Sequence, residues 1–397
     1  MMGAVEMKKG WETKRIAEIA QHSLGKMLDK AKNRGEPKPY LRNLNVRWGE
    51  FDLSDLLEMR FLSEEAEKYT AVKGDVLVCE GGYPGRAAIW DREEPIHFQK
   101  ALHRVRFHES GRNKWFVYYL QLCDLEGTLR KHFNGVGIQH FTGEALAQFD
   151  IPLPPLPEQR RIVGILDEAF DGLATATANA EQNLRNARAL FESHLQSVFT
   201  QRGRVWVGKP LGEIAEVQSG GTPSVVQRDY WGGNIPWYSS GELNKTYTTH
   251  PERLITEAGL SNSNAKLFPK GSLLVGMYDT AALKMSILDR DGAFNQAIAG
   301  VMPNEKIEVE FVLHAINATK PRLLLERRGV RQKNLSLRKI KEIIMPLPEL
   351  AEQRAVVSAL KGLWAETQRL ESIYQQKLAA LAELKKSLLH QAFSGNL

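Results

Sequence analysis

Two stretches of the chain are almost the same: PLPPLPEQRRIV at residues 152–163 and PLPELAEQRAVV at residues 346–357, identical at eight of twelve positions. Each one opens a segment without proline, because none occurs between Pro157 and Pro210 or after Pro348. Proline is tolerated in the first turn of a helix but breaks its interior. This arrangement therefore predicts a long helix after each stretch.

Further landmarks indicate that the whole chain is a tandem repeat. Trp11–Ala20 matches Trp206–Ala215 at five of ten positions, and KGDVLV at 73–78 matches KGSLLV at 270–275. All these pairs are separated by 194 to 197 residues in a chain of 397. Self-similarity at nearly one offset predicts two units with the same fold.

The two units, about 11–200 and 206–397, each begin with a mixed part rich in glycine, proline and aromatic residues. Short apolar runs bounded by Gly, Pro and Asp predict strands there. These runs are Asp75–Cys79, Trp115–Leu120, Ser272–Met277 and Met285–Leu288. Helices are expected at 60–70 and 311–319.

The second part of each unit carries an apolar stripe with heptad spacing. Steps of four and three residues are typical of helices that pack side by side. The first stripe consists of Leu173, Thr177, Ala180, Leu184, Ala187, Phe191 and Val198. The second consists of Val356, Leu360, Leu363, Thr367, Leu370, Tyr374, Lys377, Leu381, Leu384 and Leu388. Each helix should span about 43 residues, or about 65 Å.

Two striped helices on one chain predict an intramolecular antiparallel coiled coil, with a domain at each end of a rod and a pseudo-twofold axis. A coiled coil between separate chains is the alternative. The predicted fold class is α+β, with two mixed α/β domains separated by two long helices. The expected boundaries are 1–156 for domain 1, 157–202 for helix 1, 203–348 for domain 2 and 349–397 for helix 2.

Composition narrows the class of protein. Hydrophobic residues make up 43% and charged residues 25%, as in soluble globular proteins. No run approaches the roughly 18 apolar residues of a membrane span, and the N-terminus lacks the apolar core of a secretory signal. The two cysteines, Cys79 and Cys123, are too few for a disulfide framework. We therefore expect a cytoplasmic protein, whose net charge of +6 is compatible with a nucleic-acid partner.

Catalytic and cofactor motifs are not found in the sequence. Gly203–Lys209 resembles a phosphate-binding loop, but Pro210 stands where Ser or Thr must bind magnesium. The sequence contains no HExxH, no paired CxxC and no GxGxxG. We therefore expect a recognition or assembly protein that binds neither metal nor cofactor.

Polar clusters in the mixed parts are candidates for DNA contact. One cluster lies next to Trp48 in the sequence and consists of Arg42, Asn43, Asn45 and Arg47. Arginine can bond two edge atoms of guanine, and asparagine can bond two edge atoms of adenine. A solvated loop with incidental charge is the alternative interpretation.

A base and an aromatic residue recur after one strand of each repeat. They are Tyr83 and Arg86 in the first repeat, and Tyr278 and Lys284 in the second. A basic run that includes Arg331 and Lys333 precedes the second long helix. Such runs commonly bind phosphates, although a solvated face is again the alternative.

Taken together, these features resemble the specificity (S) subunit of type I restriction–modification systems. The duplicated PLPxLxEQR segment carries the resemblance, with the KGDxL-type strand and the terminal LLHQAFSGNL at 388–397. GEIAEVQSGGTPS at 212–224, followed by GNIPWYSSGEL at 233–243, is typical of how the family's target-recognition domains begin. The first unit lacks SGGTPS, which implies a different half-site.

The resemblance implies a subunit without catalytic activity of its own. Each recognition domain would read one half of a split, asymmetric sequence in double-stranded DNA, and the helices would set the spacing. Two methyltransferase (M) subunits, which use S-adenosylmethionine to methylate adenine at N6, would dock on the chain. Restriction (R) subunits, which use ATP and Mg²⁺, would complete the complex.

The resemblance adds two sets of candidate residues. Thr222 and Tyr238 join the candidates for DNA contact. The EQR segments supply the candidates for partner binding, which are Glu158, Gln159, Arg160, Glu352, Gln353 and Arg354. The alternatives are an autonomous nuclease or methyltransferase, a stand-alone methylation-only specificity protein, and a coiled-coil scaffold that does not bind DNA.

Overall fold

The computed structural model describes residues 10–29, 31–201, 206–278, 281–328 and 335–397. The chain forms two compact units. Unit 1 comprises Met1–Glu181 with Gln376–Leu397, and unit 2 comprises Gln182–Gln375. Each unit contains one mixed part of the sequence and a portion of both long helices.

Two helices are far longer than the others in the described ranges. The helices are α1 (Ile16–Ile19), α2 (Ala66–Tyr69), α3 (Asn113–Leu125), α4 (Gly143–Ala147), α5 (Leu156–Gln201), α6 (Leu211–Ile214), α7 (Glu257–Ser261), α8 (Val309–Arg328), α9 (Leu337–Lys341) and α10 (Leu350–Ser394). The long helices α5 and α10 contain 46 and 45 residues, close to the expected length. None of the described helices is both long and apolar enough to cross a membrane.

The mixed part of unit 1 is built from two four-stranded sheets and a two-stranded pair. Its strands are β1 (Glu12–Arg15), β2 (Ala20–Leu24), β3 (Glu36–Leu41), β4 (Leu57–Phe61), β5 (Thr70–Ala71), β6 (Val76–Cys79), β7 (Ala87–Ile89), β8 (Ile96–Phe98), β9 (Leu102–Phe107) and β10 (Asp150–Leu153). The sheet orders are β2-β9-β6-β7 and β4-β3-β8-β5, and β1 pairs antiparallel with β10 just before α5 begins.

Unit 2 repeats this topology. Its strands are β11 (Val207–Pro210), β12 (Val217–Ser219), β13 (Trp231–Tyr238), β14 (Arg253–Ile255), β15 (Leu273–Gly276), β16 (Met285–Ile287), β17 (Ala293–Phe294), β18 (Ile298–Val301) and β19 (Ile344–Leu347). The sheet orders are β12-β18-β15-β16 and β14-β13-β17, and β11 pairs with β19 just before α10. The tandem repeat read from the sequence is thereby confirmed, with the difference that the second sheet has four strands in unit 1 and three among the described residues of unit 2.

The predicted strands β6, β15 and β16 are confirmed, as is the helix at 311–319, which lies inside α8. The strand prediction for Trp115–Leu120 is wrong, because this run lies in α3. A short apolar run cannot distinguish a buried strand from a buried helix by its periodicity. The helix prediction for 60–70 is largely wrong: β4 ends at Phe61, and only the short α2 follows.

Each core is closed by an aromatic residue from the end of a long helix. In unit 1 the Trp115 ring packs against Trp11, at 5.7 Å between centroids, and against Phe393 of α10, at 4.3 Å. In unit 2 the Phe311 ring packs against Trp206, at 5.7 Å, and against Phe199 of α5, at 5.2 Å. The mixed part of each repeat thus completes its core with the long helix of the other repeat.

The long helices pack antiparallel within each unit. In unit 1, Arg161 donates to the Leu397 carbonyl at 2.7 Å, while farther along α5 the Phe170 ring meets the Lys385 ammonium at 5.0 Å. Residues farther along α5 thus contact residues farther from the C-terminal end of the chain. Unit 2 shows the same trend, from Arg188 with Glu371 to Phe191 with Trp364. This confirms the predicted intramolecular pairing.

The stripe of α5 lies inward as predicted, but that of α10 departs from heptads after Tyr374. Lys377 is exposed and Leu384 is 48% exposed, whereas Leu378 and Leu389 face inward. Inward residues then recur at an eleven-residue spacing, from Thr367 to Leu378 and Leu389. Eleven residues in three turns correspond to about 3.67 residues per turn, slightly above the 3.6 of a straight helix, so this spacing keeps one face toward the partner with a slight right-handed supercoil.

Candidate nucleic-acid interface

The loop at 42–47 in unit 1 contains four sequence-predicted DNA contacts, and the structure uses two of them to hold the loop together. Asn45 is only 3% exposed. Its Oδ1 accepts from the Arg42 backbone N–H, and its Nδ2 donates to the carbonyls of Asp52 and Asp55 at 2.9 and 3.0 Å. The Arg42 guanidinium donates to the Asp55 carboxylate at 2.7 Å. We therefore remove the buried Asn45 from the base-contact candidates, and Arg42, which is held by Asp55, stays a prediction.

The other two residues of this loop face the turn between β6 and β7, at 80–86. Asn43 donates from Nδ2 to the Gly81 carbonyl at 3.0 Å, and its own carbonyl accepts from Arg86 at 2.9 Å. Arg47 is 43% exposed and contacts Asp52 at 3.5 Å. The structure therefore brings together Asn43 and Arg86, which are 43 residues apart in the chain.

Tyr83 and Arg86 form a stacked pair on that turn. The Arg86 guanidinium lies 5.1 Å from the centroid of the Tyr83 ring, and the Tyr83 hydroxyl donates to the Asp124 carboxylate at 3.0 Å. Burial, together with this carboxylate, raises the pKa of Tyr83. Within the described residues, the Nε of Arg86 is buried without a hydrogen-bond partner, while Nη2 donates to the Asn43 carbonyl at 2.9 Å.

A third segment, 130–140, lies against the same turn. The Phe141 N–H donates to the Glu80 carbonyl at 2.8 Å, and the His140 ring lies next to Gly81. Arg130 and Lys131 are exposed at its start. We call the loops 42–47, 80–86 and 130–140 together the unit 1 loop cluster. It combines basic, aromatic and amide side chains on one surface.

The two ends of the turn between β15 and β16 in unit 2 are bonded to each other like the ends of the 80–86 turn. In unit 1, Cys79 N–H donates to the Arg86 carbonyl, and in unit 2, Gly276 N–H donates to the Lys284 carbonyl, both at 2.8 Å. The residue before each base has a positive φ, 84° at Gly85 and 56° at Leu283. Leu283 is the sole non-glycine residue with positive φ in the described chain, so this turn geometry is kept despite its cost. Arg86 and Lys284 are therefore structural equivalents.

Lys284 lies at a basic cavity in unit 2. Its Nζ is 3.2 Å from the Asn244 Oδ1. The cavity, of about 400 Å³, is also lined by Lys245 and Lys320, two residues that sequence reasoning missed. Tyr278, predicted as the counterpart of Tyr83, packs partly buried against the unit 2 core instead. Three lysines around one cavity form a surface suited to phosphate groups.

Thr222 and Tyr238 occupy different environments. Thr222 is exposed, and its hydroxyl contacts the Gln296 side chain at 2.5 Å. The preceding glycines are required by close packing, because a Cβ on Gly220 or Gly221 would lie about 2 Å from backbone atoms of a neighbouring segment. Tyr238 is 1% exposed and donates to the Thr249 carbonyl, so we remove it from the base-contact candidates.

Comparison with known proteins agrees with this geometry. A family model described as the type I restriction modification DNA specificity domain matches residues 8–184 and again residues 204–379. The chain belongs to this type I specificity family. Family membership makes it a DNA specificity subunit with two specificity domains.

Curated relatives agree with this assignment, and solved structures share the fold. The specificity subunit of the Escherichia coli type I restriction enzymes EcoR124I/EcoR124II is 30% identical over 264 residues, which span 62% of this chain and 62% of the relative. A solved chain from a study of complex assembly and conformational transition of the type I R-M system covers 99% of this chain and 100% of its own, with a TM-score of 0.78 and 18% identity. The HsdS subunit from Thermoanaerobacter tengcongensis covers 100% and 99%, with a TM-score of 0.67 and 18% identity.

The EQR segments of this specificity subunit contain one inward residue each. Gln159 and Gln353 are fully buried, and each donates to the carbonyl five residues earlier, at Pro154 (2.7 Å) and Pro348 (2.9 Å). These bonds hold the proline-rich segment that precedes each long helix against the first turn of that helix. We therefore remove both glutamines from the partner-binding candidates.

The remaining EQR residues lie at the surface. Arg160 is exposed, Arg354 is 68% exposed and pairs with Glu308, and Glu352 accepts from the Trp206 indole at 3.2 Å. Glu158 forms an ion pair with Arg161 at 2.7 Å. These residues stay candidates for partner binding.

Two further outcomes concern the candidate list of the specificity subunit. Arg331 and Lys333 lie outside the described residues. Sequence reasoning missed Trp231 and Arg253, whose ring and guanidinium stack at 5.4 Å beside a second cavity in unit 2. The cluster of aromatic residues formed by Trp231 and the following GNIPWY segment could have indicated this site in the sequence.

Proposed function

We propose that unit 1 and unit 2 each read one half of a bipartite, asymmetric DNA sequence in the major groove. The observation that carries the proposal is the matched turn that presents Arg86 in unit 1 and Lys284 in unit 2. Both side chains can bond guanine at O6 and N7. The surroundings differ, with Tyr83 and Asn43 at one turn and Lys245 and Asn244 at the other. The same turn surrounded by different side chains in the two units is suited to reading two different half-sites.

The charges around both turns support contact with the DNA backbone. Arg47, Arg130 and Lys131 flank the turn of unit 1, and Lys245 and Lys320 flank that of unit 2. Lys and Arg neutralise phosphates and fix the protein's position on the duplex, while base-edge contacts carry the sequence preference. Binding should therefore weaken steeply with salt.

The assembly role completes the proposal. The chain acts without catalytic residues and binds no cofactor of its own. Two methyltransferase subunits dock on surfaces that include Arg160, Glu352 and Arg354, and they methylate adenine at N6 with S-adenosylmethionine. Restriction subunits that use ATP and Mg²⁺ join them. The solved relative described in a study of type I complex assembly supports this role.

The long helices set the distance between the half-sites in this proposal. Both α5 and α10 contribute residues to unit 1 and to unit 2. A helix resists compression along its axis far better than a loop does, since each residue adds a fixed rise of about 1.5 Å. Continuous helices through both units are therefore suited to hold a constant spacing.

Methylome sequencing of cells that express the chain with its methyltransferase tests the function directly. We expect one bipartite adenine-methylation motif that disappears when this gene is deleted. Arg86→Ala should relax one half of the motif, and Lys284→Ala the other half, with discrimination falling by about 1–3 kcal/mol.

Two further variants sharpen the result. Arg86→Lys keeps the positive charge but loses the planar guanidinium that can bond two base atoms at once. It should therefore retain overall DNA affinity better than it retains discrimination between bases. Arg92→Ala removes an exposed arginine beyond the far end of β7, and it should leave the motif unchanged. A motif that survives both Ala variants intact, or that weakens equally on all sequences, would contradict base reading at these turns.

A further inference from the structure

A closed loop in unit 1 presents two apolar side chains to solvent. The backbones of Asn134 and His140 exchange two hydrogen bonds, at 2.9 and 2.8 Å, which close the base of the loop. Between them, Val136 is fully exposed and Ile138 is 75% exposed. Branched apolar side chains held at the tip of a hydrogen-bonded loop gain nothing for folding. They are therefore available for contact with another molecule.

The base of this loop is fixed to the sheet and to the unit 1 loop cluster. His103, buried on β9, contacts the Phe141 carbonyl through Nε2 at 3.1 Å. The Phe141 N–H bonds to Glu80, and His140 lies next to Gly81. The loop therefore starts and ends beside the turn that contains Arg86, and its tip follows the exposed bases Arg130 and Lys131 by a few residues.

We propose that Val136 and Ile138 contact the C5 methyl group of thymine in the half-site that unit 1 reads. In the major groove, the thymine methyl is the apolar group that distinguishes one base from the other three. The flanking arginine and lysine side chains favour an anionic duplex over an apolar protein surface. The inference rests on the proposed function and adds a specific base to it.

The second repeat supports a reading role for this loop. Gly135 and Val136 align with Gly329 and Val330, and the helices that follow are capped alike, by Thr142 and by Ser336. In the alignment Gly137 and Ile138 are replaced by Arg331 and Gln332, residue types that bond guanine and adenine. At these aligned sequence positions one repeat thus has apolar and the other hydrogen-bonding side chains, as two different half-sites require.

Replacement of thymine by uracil tests the contact, because uracil lacks only the methyl group. The full chain, co-expressed with its methyltransferase, is first assigned its motif by methylome sequencing. Duplexes with a single uracil at each thymine of either half-site then compete for binding. We expect uracil at one or two positions of the unit 1 half-site to weaken binding about three- to tenfold, as loss of one buried methyl predicts.

Variants of the loop connect this loss to the two side chains. In Ile138→Thr or Val136→Thr, the same uracil should cost less than about twofold, since the methyl has already lost its partner. Val72→Thr is the matched control: Val72 is 39% exposed at the opposite end of β6 and should keep the wild-type uracil effect. Circular dichroism melting of each variant confirms that it folds.

Each outcome decides the inference. A unit 1 half-site without thymine, or an equal uracil effect in wild type and loop variants, would overturn it. Loss of affinity in the loop variants that is the same for every DNA sequence, or loss of methyltransferase binding instead, would show that the tip has another partner. Absence of any bipartite motif would overturn the proposed function itself, which the wild-type methylome reveals before any variant is made.

Discussion

Asn45 and Arg86 are two polar side chains of the unit 1 loop cluster that differ in how many local hydrogen bonds they make. Asn45 has all its amide bonds within its own loop. Arg86 stacks on Tyr83 and donates a single side-chain bond among the described residues, to the Asn43 carbonyl at 2.9 Å, while its Nε is buried without a partner. A polar side chain with satisfied local bonds can contact a base only by breaking them, at roughly 1–3 kcal/mol each. Arg86 is therefore the stronger candidate for base reading.

His103 links the stability of unit 1 to pH. Its pKa is lowered to about 4, chiefly by burial and also by the nearby His22, while the bond to the Phe141 carbonyl acts in the opposite direction. The unfolded chain binds this proton near pH 6.5, but the folded chain does not. Stability is therefore complete above pH 6.5 and falls as the pH drops toward 4, by up to about 3 kcal/mol.

We predict that His103→Gln makes the free energy of unfolding less dependent on pH between 7 and 4.5. Glutamine can still donate to the Phe141 carbonyl but does not titrate. Urea unfolding at a series of pH values, followed by tryptophan fluorescence, measures the slope. Other partly buried histidines with lowered pKa, such as His314, keep part of the dependence. His194→Gln, at an exposed position of α5, should retain the wild-type slope; equal slopes for both variants would contradict the assignment.

At the scale of elements, α3 and α8 show what the sequence predicted and what it did not. The helix at 311–319 was predicted, while its repeat partner at Trp115–Leu120 was predicted as a strand. The repeat offset pairs these two segments, so it contained the information that local periodicity lacked. The recognition loops differ, because Arg42 and Asn45 form their loop bonds to Asp52 and Asp55, which sequence spacing does not reveal.

Each of these two helices forms an ion pair with a long helix, and the positive and negative partners are exchanged between the two units. In unit 1, Lys114 of α3 pairs with Asp167 of α5 at 2.5 Å. At the equivalent positions of unit 2, Glu310 of α8 pairs with Lys361 of α10 at 2.6 Å. Burial alone would raise the pKa of Glu310, but bonds from Lys361 and Tyr247 hold the pKa below its usual value. The charges are inverted between the repeats while the contact is kept.

The two ion pairs differ in burial, and we expect the pair with the buried carboxylate to contribute more to the free energy of unfolding. We predict that Lys361→Gln costs about 2–3 kcal/mol, because it leaves the Glu310 carboxylate, 8% exposed, without its ionic partner. Lys114→Gln should cost less than about 1 kcal/mol, because Lys114 and Asp167 are 51% and 34% exposed. Chemical denaturation of each variant and of the double variants with Glu310→Gln and Asp167→Asn gives both coupling energies. Equal costs for the two lysines would contradict this order.

For the whole molecule, the repeat explains why one chain has two similar units that are not independent. Phe393 of α10 closes the core of unit 1, and Phe199 of α5 closes that of unit 2. Each half of the sequence therefore lacks a core residue that the other half supplies. The border between the units falls between Glu181 and Gln182 on α5, and between Gln375 and Gln376 on α10. Residues inserted at these borders would lengthen the helices without disturbing either core.

The last prediction uses these two borders to test whether the helices set the half-site spacing. One additional turn, about four residues, inserted at both borders adds about 6 Å, which corresponds to nearly two base pairs at about 3.4 Å each. It also adds a rotation of about 40°, and one or two base pairs of duplex rotate by about 35–70°. Displacement and rotation therefore match, whereas a whole heptad would add about 10 Å with almost no rotation.

The double insertion should leave both half-site sequences unchanged and widen the gap between them by one or two base pairs in the methylome. A step of four also occurs naturally in the stripe of α10, so one apolar residue per inserted turn keeps the packing face continuous. Insertion in α10 alone is the matched control: it shifts one helix against the other and should lower stability and methylation without producing a new gap. If the double insertion retains the original gap at full methylation, the spacing is fixed by the methyltransferase partners, and the long helices only complete the two cores.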